Sequence, residues 1–302
     1  MRIDGLLDRR AAFGARCLAL ARKRGGECER QVAVLFDLGP GAAARDEDTG
    51  TDGAGETART TSAPTRAGGT IATAPAPGRA RLLVVPGLFG DSVRALVAPL
   101  ACARERLAVE GRDLAVVWLN GRAGCTRNAA RLRVLVLEHA AASGAPIDLV
   151  GYSKGCTDAL HMLGDWPETH AALRSLTSLG GVVHGTPLAD VTPPLVTRLL
   201  NRLPLPGLFG PGDGLALADL APARRQRWLE EHRLPDTIRY ASIVASPSPA
   251  QVSRVLKGSW RALARIDPAN DSQVIVRDAV LPRGELLARV DADHWALALP
   301  IA

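Results

Sequence analysis

Lysine is almost missing from this chain of 302 residues. Of its 37 basic residues, only Lys23, Lys154 and Lys257 are lysines, and arginine supplies the rest. The net charge is +6, but no basic run is interleaved with aromatics, so nucleic acid is not an expected partner. Aromatic residues are only 4%, so Ala, Val and Leu must fill the core that a hydrophobic content of 47% allows. No stretch approaches the ~18 consecutive apolar residues that a membrane span needs. The five cysteines, Cys17, Cys28, Cys102, Cys125 and Cys156, are odd in number. No pair has C-x-x-C or metal-ligand spacing, which argues against a disulfide framework or a structural zinc site. Free thiols in a reducing compartment are the natural reading. A secretory signal is not expected either. Asp4, Asp8, Arg9 and Arg10 interrupt the start, and Cys17-Leu18-Ala19-Leu20 is too short for an apolar signal core. The expected location is cytoplasmic.

Three compositional zones divide the chain. Residues 6–24 space Leu6, Leu7, Phe13, Leu18 and Leu20 at helical intervals among arginines. Such a basic amphipathic helix packs on its own domain or makes peripheral contact with a membrane or partner. A strand is offered by 31–38, so 1–38 reads as a helix and a strand. Residues 39–80 lose the hydrophobic pattern to Gly, Ala, Thr, Pro and scattered charges. A segment of that kind buries too little apolar area to offset its ordering entropy, and a disordered linker or long loop is expected. From 81 to 302 strand-like and helix-like segments alternate. Strands are expected at 82–85, 114–119, 147–150, 176–183, 238–244 and 285–290. Helices are expected at 91–108, 128–142, 156–163 and 252–266. Continuous apolar strands alternating with helices predict an α/β fold, a mostly parallel sheet with helices on both faces.

The third of these strands runs into Gly151-Tyr152-Ser153-Lys154-Gly155, and a helix follows. G-x-S-x-G between a buried strand and a helix is a sharp turn that holds a serine hydroxyl at the strand's end. Crowding by neighbouring strands would explain both glycines. The alternative is an ordinary Gly-Ser turn. With 30 glycines and 12 serines in the chain, chance alone supplies roughly a tenth of such a match. Ser153 is therefore the candidate nucleophile.

A serine needs a base, and the base needs an orienting acid. His139 and His161 fall in helical segments and His232 in a charged one, where surface or packing roles suffice. His170 lies in a loop. His184 follows the strand after the serine turn and could line a pocket. His294 follows the last strand, in Asp291-Ala292-Asp293-His294-Trp295, and is the candidate base. The candidate acid is Asp271, in a Pro-Ala-Asn-Asp loop able to return to the same sheet edge. Asp278 follows an apolar stretch, where capping or pairing with Arg277 or Arg283 is the plainer reading. Asp291 and Asp293 share the histidine's own loop and reach its far nitrogen poorly. Two N–H donors should face a developing oxyanion. The Lys154 amide starts the helix, and the Leu88 amide lies in Pro86-Gly87-Leu88-Phe89-Gly90 after the first sheet strand. The Lys154 side chain has no expected role beyond a solvated charge.

Residues 81–302 resemble the α/β-hydrolase superfamily, and within it bacterial lipases and esterases. Gly151-Tyr152-Ser153-Lys154-Gly155 is similar to the nucleophile elbow. Pro86-Gly87-Leu88 resembles the His-Gly-Leu oxyanion segment, with proline where those enzymes have histidine. His184-Gly185-Thr186-Pro187-Leu188-Ala189-Asp190 resembles the segment that leads to the lid. Asn270-Asp271-Ser272-Gln273-Val274 resembles Asn-Asp-Gly-Leu-Val, which carries the acid. The resemblance implies the α/β-hydrolase fold, a Ser153–His294–Asp271 triad and ester hydrolysis through an acyl-enzyme. The family's structural calcium site has no counterpart that the sequence identifies. Residues 191–234, rich in leucine and proline, interrupt the strand-helix rhythm. They read as an inserted helical cap over the site or as an extra layer that never meets substrate. The expected substrate is a small-molecule or lipid ester, with no metal and no cofactor. A thioesterase, an acyltransferase or an amidase would use the same residues, and a non-catalytic protein that binds lipid or a partner is the rival from another class.

Overall fold

The computed structural model describes residues 7–8, 81–88, 107–108, 113–193, 195 and 212–298. Among these, seven strands occur: β1 Leu7–Asp8, β2 Arg81–Val85, β3 Asp113–Val116, β4 Ile147–Tyr152, β5 Leu173–Leu179, β6 Arg239–Ala245 and β7 Glu285–Val290. The helices are α1 Cys125–Ser143, α2 Lys154–Asp165, α3 Pro187–Val191, α4 Pro222–Glu231 and α5 Lys257–Ala264. The strands form one sheet in the order β1-β7-β6-β5-β4-β2-β3, and every pairing is parallel. The α/β reading with a parallel sheet therefore holds.

Alternation along the strands sorts side chains to two faces. Leu83 and Val85 of β2 and Ile147 and Leu149 of β4 join one core cluster. Ala129, Leu132 and Val136 of α1 meet them there, with Cys156, Ala159, Leu160 and Leu163 of α2. Val150 and Tyr152 point the other way and pack with Leu179, Ile243, Leu297 and Ala298. Burial of small and branched residues thus replaces the aromatic core that this composition cannot provide. Gly144 closes α1 in the left-handed region at φ 66, and its N–H donates to the Ala140 carbonyl.

Several boundaries differ from expectation. The strand read at 176–183 is Leu173–Leu179, because the chain leaves the sheet at Gly180, φ 54. The strand read at 114–119 ends at Val116. The helix read at 252–266 splits into a 3-10 turn at Arg254–Leu256 and α5. Leu7 and Asp8, expected in the opening helix, are extended and pair with Glu285 and Leu286 of β7. Backbone pairing with an edge strand outweighs local helix propensity there. The rest of 1–38, the expected linker 39–80 and most of the expected helix 91–108 lie outside the described residues. So do Pro194 and 196–211 of the expected cap, including Leu199 and Phe209. Its second half is described from 212 onward and packs on the body of the protein. Trp228 of α4 and Leu234 belong to the main core cluster. Among the described residues no helix is long and apolar enough to cross a membrane.

Candidate active site

β4 is a central strand, and its last residues pass directly into α2. Ser153 occupies the turn between them at φ 54 and ψ −127, a conformation that non-glycine residues rarely adopt. Both flanking glycines are sterically required. A Cβ on Gly155 would stand 2.2 Å from the Val85 carbonyl oxygen at the end of β2. A Cβ on Gly151 would stand 2.4 Å from Cys156 Cα. The second clash is with the serine's own helix, not with a neighbouring strand as the sequence suggested. Backbone bonds fix the turn. Ser153 N–H donates to the Leu179 carbonyl at 3.1 Å, and the Ser153 carbonyl accepts from Cys156 and Val182 at 3.1 and 3.2 Å.

The loop after β2 comes up against the serine. A Cβ on Gly87 would lie 2.6 Å from Ser153 Cβ and 3.0 Å from its Oγ. Leu88, half-buried, is the next residue of this loop.

Asp271 and His294 meet although they lie far apart in sequence. Asp271 Oδ2 and His294 Nδ1 are 2.7 Å apart, and both residues are buried. The His294 N–H also donates to the Asp271 carbonyl at 2.8 Å. Asp271 Oδ1 accepts from the Gln273 and Val274 amides at 2.8 and 2.7 Å, which fixes the carboxylate plane. With Nδ1 bound to a carboxylate, the imidazole proton sits on that side and Nε2 is left as an acceptor. Tyr152, which precedes the serine, stacks on the His294 ring at 5.0 Å, and its hydroxyl donates to the His294 carbonyl at 2.8 Å. Gly180 completes the arrangement. A Cβ there would stand 3.3 Å from Asp271 Oδ2 and 3.4 Å from His294 Nδ1. Since the residue before Gly180 accepts the Ser153 N–H, two successive residues link the serine turn to the Asp–His pair.

The other candidates are occupied elsewhere. Asp293 accepts from Ser253, Trp295 and Ala296 amides and shapes the histidine loop. Asp291 accepts from the Ser248 amide. Asp278 lies 3.8 Å from Arg277, and burial pushes its carboxyl up to about 6. His184 is held by the Val280 backbone, and burial lowers its pKa. His170 binds the Leu163 carbonyl. His232 binds the Trp228 carbonyl, and His161 meets Arg225. Among the described residues no group of three or more His, Cys, Asp or Glu could hold a metal ion.

Tyr152 and Gly180 were not singled out from the sequence. The Gly180-Gly181 doublet was the available signal for the second. The Lys154 side chain, which reads as a solvated charge in the sequence, is instead fully buried and paired with Asp158.

The sheet order, the strained serine and the buried Asp–His pair define a hydrolase architecture. The chain belongs to the α/β-hydrolase superfamily. It is similar to the solved structure of the metagenomic carboxyl esterase MGS0156, with 31% identity over 99% of this chain and 84% of that one, TM-score 0.77. It shares its fold with the mature Bacillus licheniformis lipase BlEst2, with 21% identity over 74% of this chain and 88% of that one, TM-score 0.59. No protein-family model matches the sequence, and the comparison with curated proteins gave no match.

Proposed function

We propose that this protein is a serine esterase that cleaves carboxylic esters in two steps through an acyl-enzyme. Ser153 Oγ attacks the ester carbonyl, and His294 Nε2 takes the hydroxyl proton. Asp271 orients the ring and stabilises the imidazolium. The Leu88 and Lys154 N–H groups hold the oxyanion. His294 then gives its proton to the leaving alcohol, and a water activated by the same histidine releases the acid. The observation that carries this reading is the buried 2.7 Å contact of Asp271 Oδ2 with His294 Nδ1, behind the strained Ser153 turn. The similarity to a carboxyl esterase supports esters over amides as substrates. A cytoplasmic location belongs to the same proposal, supported by the free thiols of Cys125 and Cys156.

A fluorophosphonate probe tests the nucleophile. Wild-type protein is expected to be labelled once and to lose p-nitrophenyl ester hydrolysis. Folded Ser153→Ala is expected to be neither labelled nor active. Persistent labelling of that variant would sink the assignment.

A further inference from the structure

The space beneath the serine turn is held by charge. Lys154 follows Ser153 directly and is 0% exposed. Its Nζ donates to Asp158 Oδ1 at 2.6 Å, one helical turn further along α2. The second oxygen, Asp158 Oδ2, accepts from Asn128 Nδ2 of α1 at 2.9 Å. The same amide nitrogen donates to the Asn120 carbonyl at 3.0 Å. Asp158, Asn128 and Asn120 are all buried. One continuous chain of bonds therefore runs from the residue after the serine to the neighbouring helix and to the segment that leaves β3. Burial works against the Lys154 charge, and the Asp158 carboxylate overrides it, so the ammonium's pKa stands above the ordinary lysine value.

Stability alone does not explain this pair. Desolvating two ions often costs more than packing two apolar side chains of similar volume. Ala159, Leu160 and Leu163 are buried beside the pair, whereas the other buried polar side chains of α2, Thr157 and His161, are bonded to the Val182 carbonyl and to Arg225 and leave the pair to itself. A geometric task is a better account. The Ser153 conformation is of a kind that costs ~1–3 kcal/mol and persists only where the surroundings over-determine it. The ψ of Ser153 sets the plane of the 153–154 peptide, and that plane sets the direction of the Lys154 N–H. Cys156 and Val182 hold the carbonyl of this peptide from one side. The Lys154 side chain tethers its other end through a directional, doubly anchored ion pair.

We infer that Lys154 and Asp158 are positioning residues, whose ion pair, anchored on Asn128, aims the Lys154 N–H at the oxyanion. The inference rests on the acyl-enzyme reading above. Its test is the charge-free pair Lys154→Met with Asp158→Leu, compared with wild type and Ser153→Ala. The double variant is expected to keep at least the wild-type Tm and bind substrate with KM changed by no more than about twofold, yet lose about 10–100-fold in kcat, less than removing an oxyanion donor outright. Fluorophosphonate labelling should still go to completion, but more slowly. A folded double variant with wild-type kcat overturns the inference, and so does a loss confined to KM. If that variant does not fold, the nearly isosteric Asp158→Asn carries the same comparison. A kcat loss at constant KM supports the ion pair's role, and unchanged kcat overturns it. An active Ser153→Ala would instead overturn the acyl-enzyme reading itself.

Discussion

Both carboxylate oxygens of Asp271 are engaged, one by the His294 ring and one by two backbone amides. In Asp271→Asn the amide oxygen can still accept from the two backbone amides, but the NH2 that then faces the ring makes Nδ1 an acceptor and moves the imidazole proton to Nε2. Loss of the orienting acid leaves the wrong imidazole tautomer, and kcat is expected to fall by about 10⁴ with the fold retained. Asp278→Asn should leave kcat close to wild type. The same substitution removes a charge that the folded state disfavours, because burial raises the Asp278 pKa from 3.8 to about 6. It should therefore raise Tm at pH 7, and the gain should fade as the pH falls from 6 towards 4, where the wild-type carboxyl takes up its proton. Ester turnover and thermal melts at pH 7 and pH 4 check both expectations. A dead, folded Asp278→Asn beside an active Asp271→Asn would reverse the assignment. The Ser153 turn and the Asp271–His294 contact were legible in the sequence because each residue sits in a local pattern with a fixed chain order. Tyr152 and Gly180 were not, because their contacts with His294 arise only when β4, β5 and the loop after β7 come together. Ser272 was equally hidden. Its φ of 84 and its position where the resembling motif has glycine show a strained residue beside the acid.

Helix α4 is fastened to α2 by an unusual buried contact. Arg225 is 0% exposed, and its Nη1 lies 2.8 Å from His161 Nε2. Its Nε donates to the Val183 carbonyl at 3.1 Å, and its guanidinium lies over the Trp228 ring. Trp228 in turn stacks on both the His161 and the His232 rings. Because arginine can only donate, His161 Nε2 must accept, and the ring proton sits on Nδ1, which has no hydrogen-bond partner. Burial and then the Arg225 charge lower the His161 pKa from 6.5 to about 2. Stability contributed by neutral His161 is complete above pH 6.5 and is lost steadily as the pH falls towards 2, because the unfolded chain binds a proton that the folded one refuses. His161→Gln keeps an acceptor for Arg225 and does not titrate. Urea unfolding at pH 8 and pH 5 should show a smaller drop in stability for this variant than for wild type. An equal drop would show that His161 does not titrate differently on folding. Nothing in the local sequence pattern foretells this contact. Arg225 falls in the 191–234 segment that reads as a cap or an extra layer, and nothing in its local pattern marks it for burial against α2. The strand-helix alternation from 81 onward was legible because buried parallel strands are apolar throughout. Strand ends were not, since Gly180 and the 3-10 turn at Arg254–Leu256 end or delay elements through tertiary contacts.

At the scale of the whole molecule, β1 covers one edge of the sheet with two residues among those described. Without it the outer side of β7 presents unpaired backbone groups, a template for association with another chain. A protein lacking residues 1–8 is expected to keep its esterase activity per folded molecule. It should also scatter more light on concentration than the full chain. Equal scattering and an unchanged Tm would show that this edge is protected in some other way.

The pairing of Leu7 with Glu285 also bears on how the chain reaches its native state. These partners are on the order of 280 residues apart, so closing that loop carries a large entropic penalty for a ladder of two described residues. β1 can dock only onto a sheet whose last strand is already in place, which makes it a late step in folding and the first contact to open under stress.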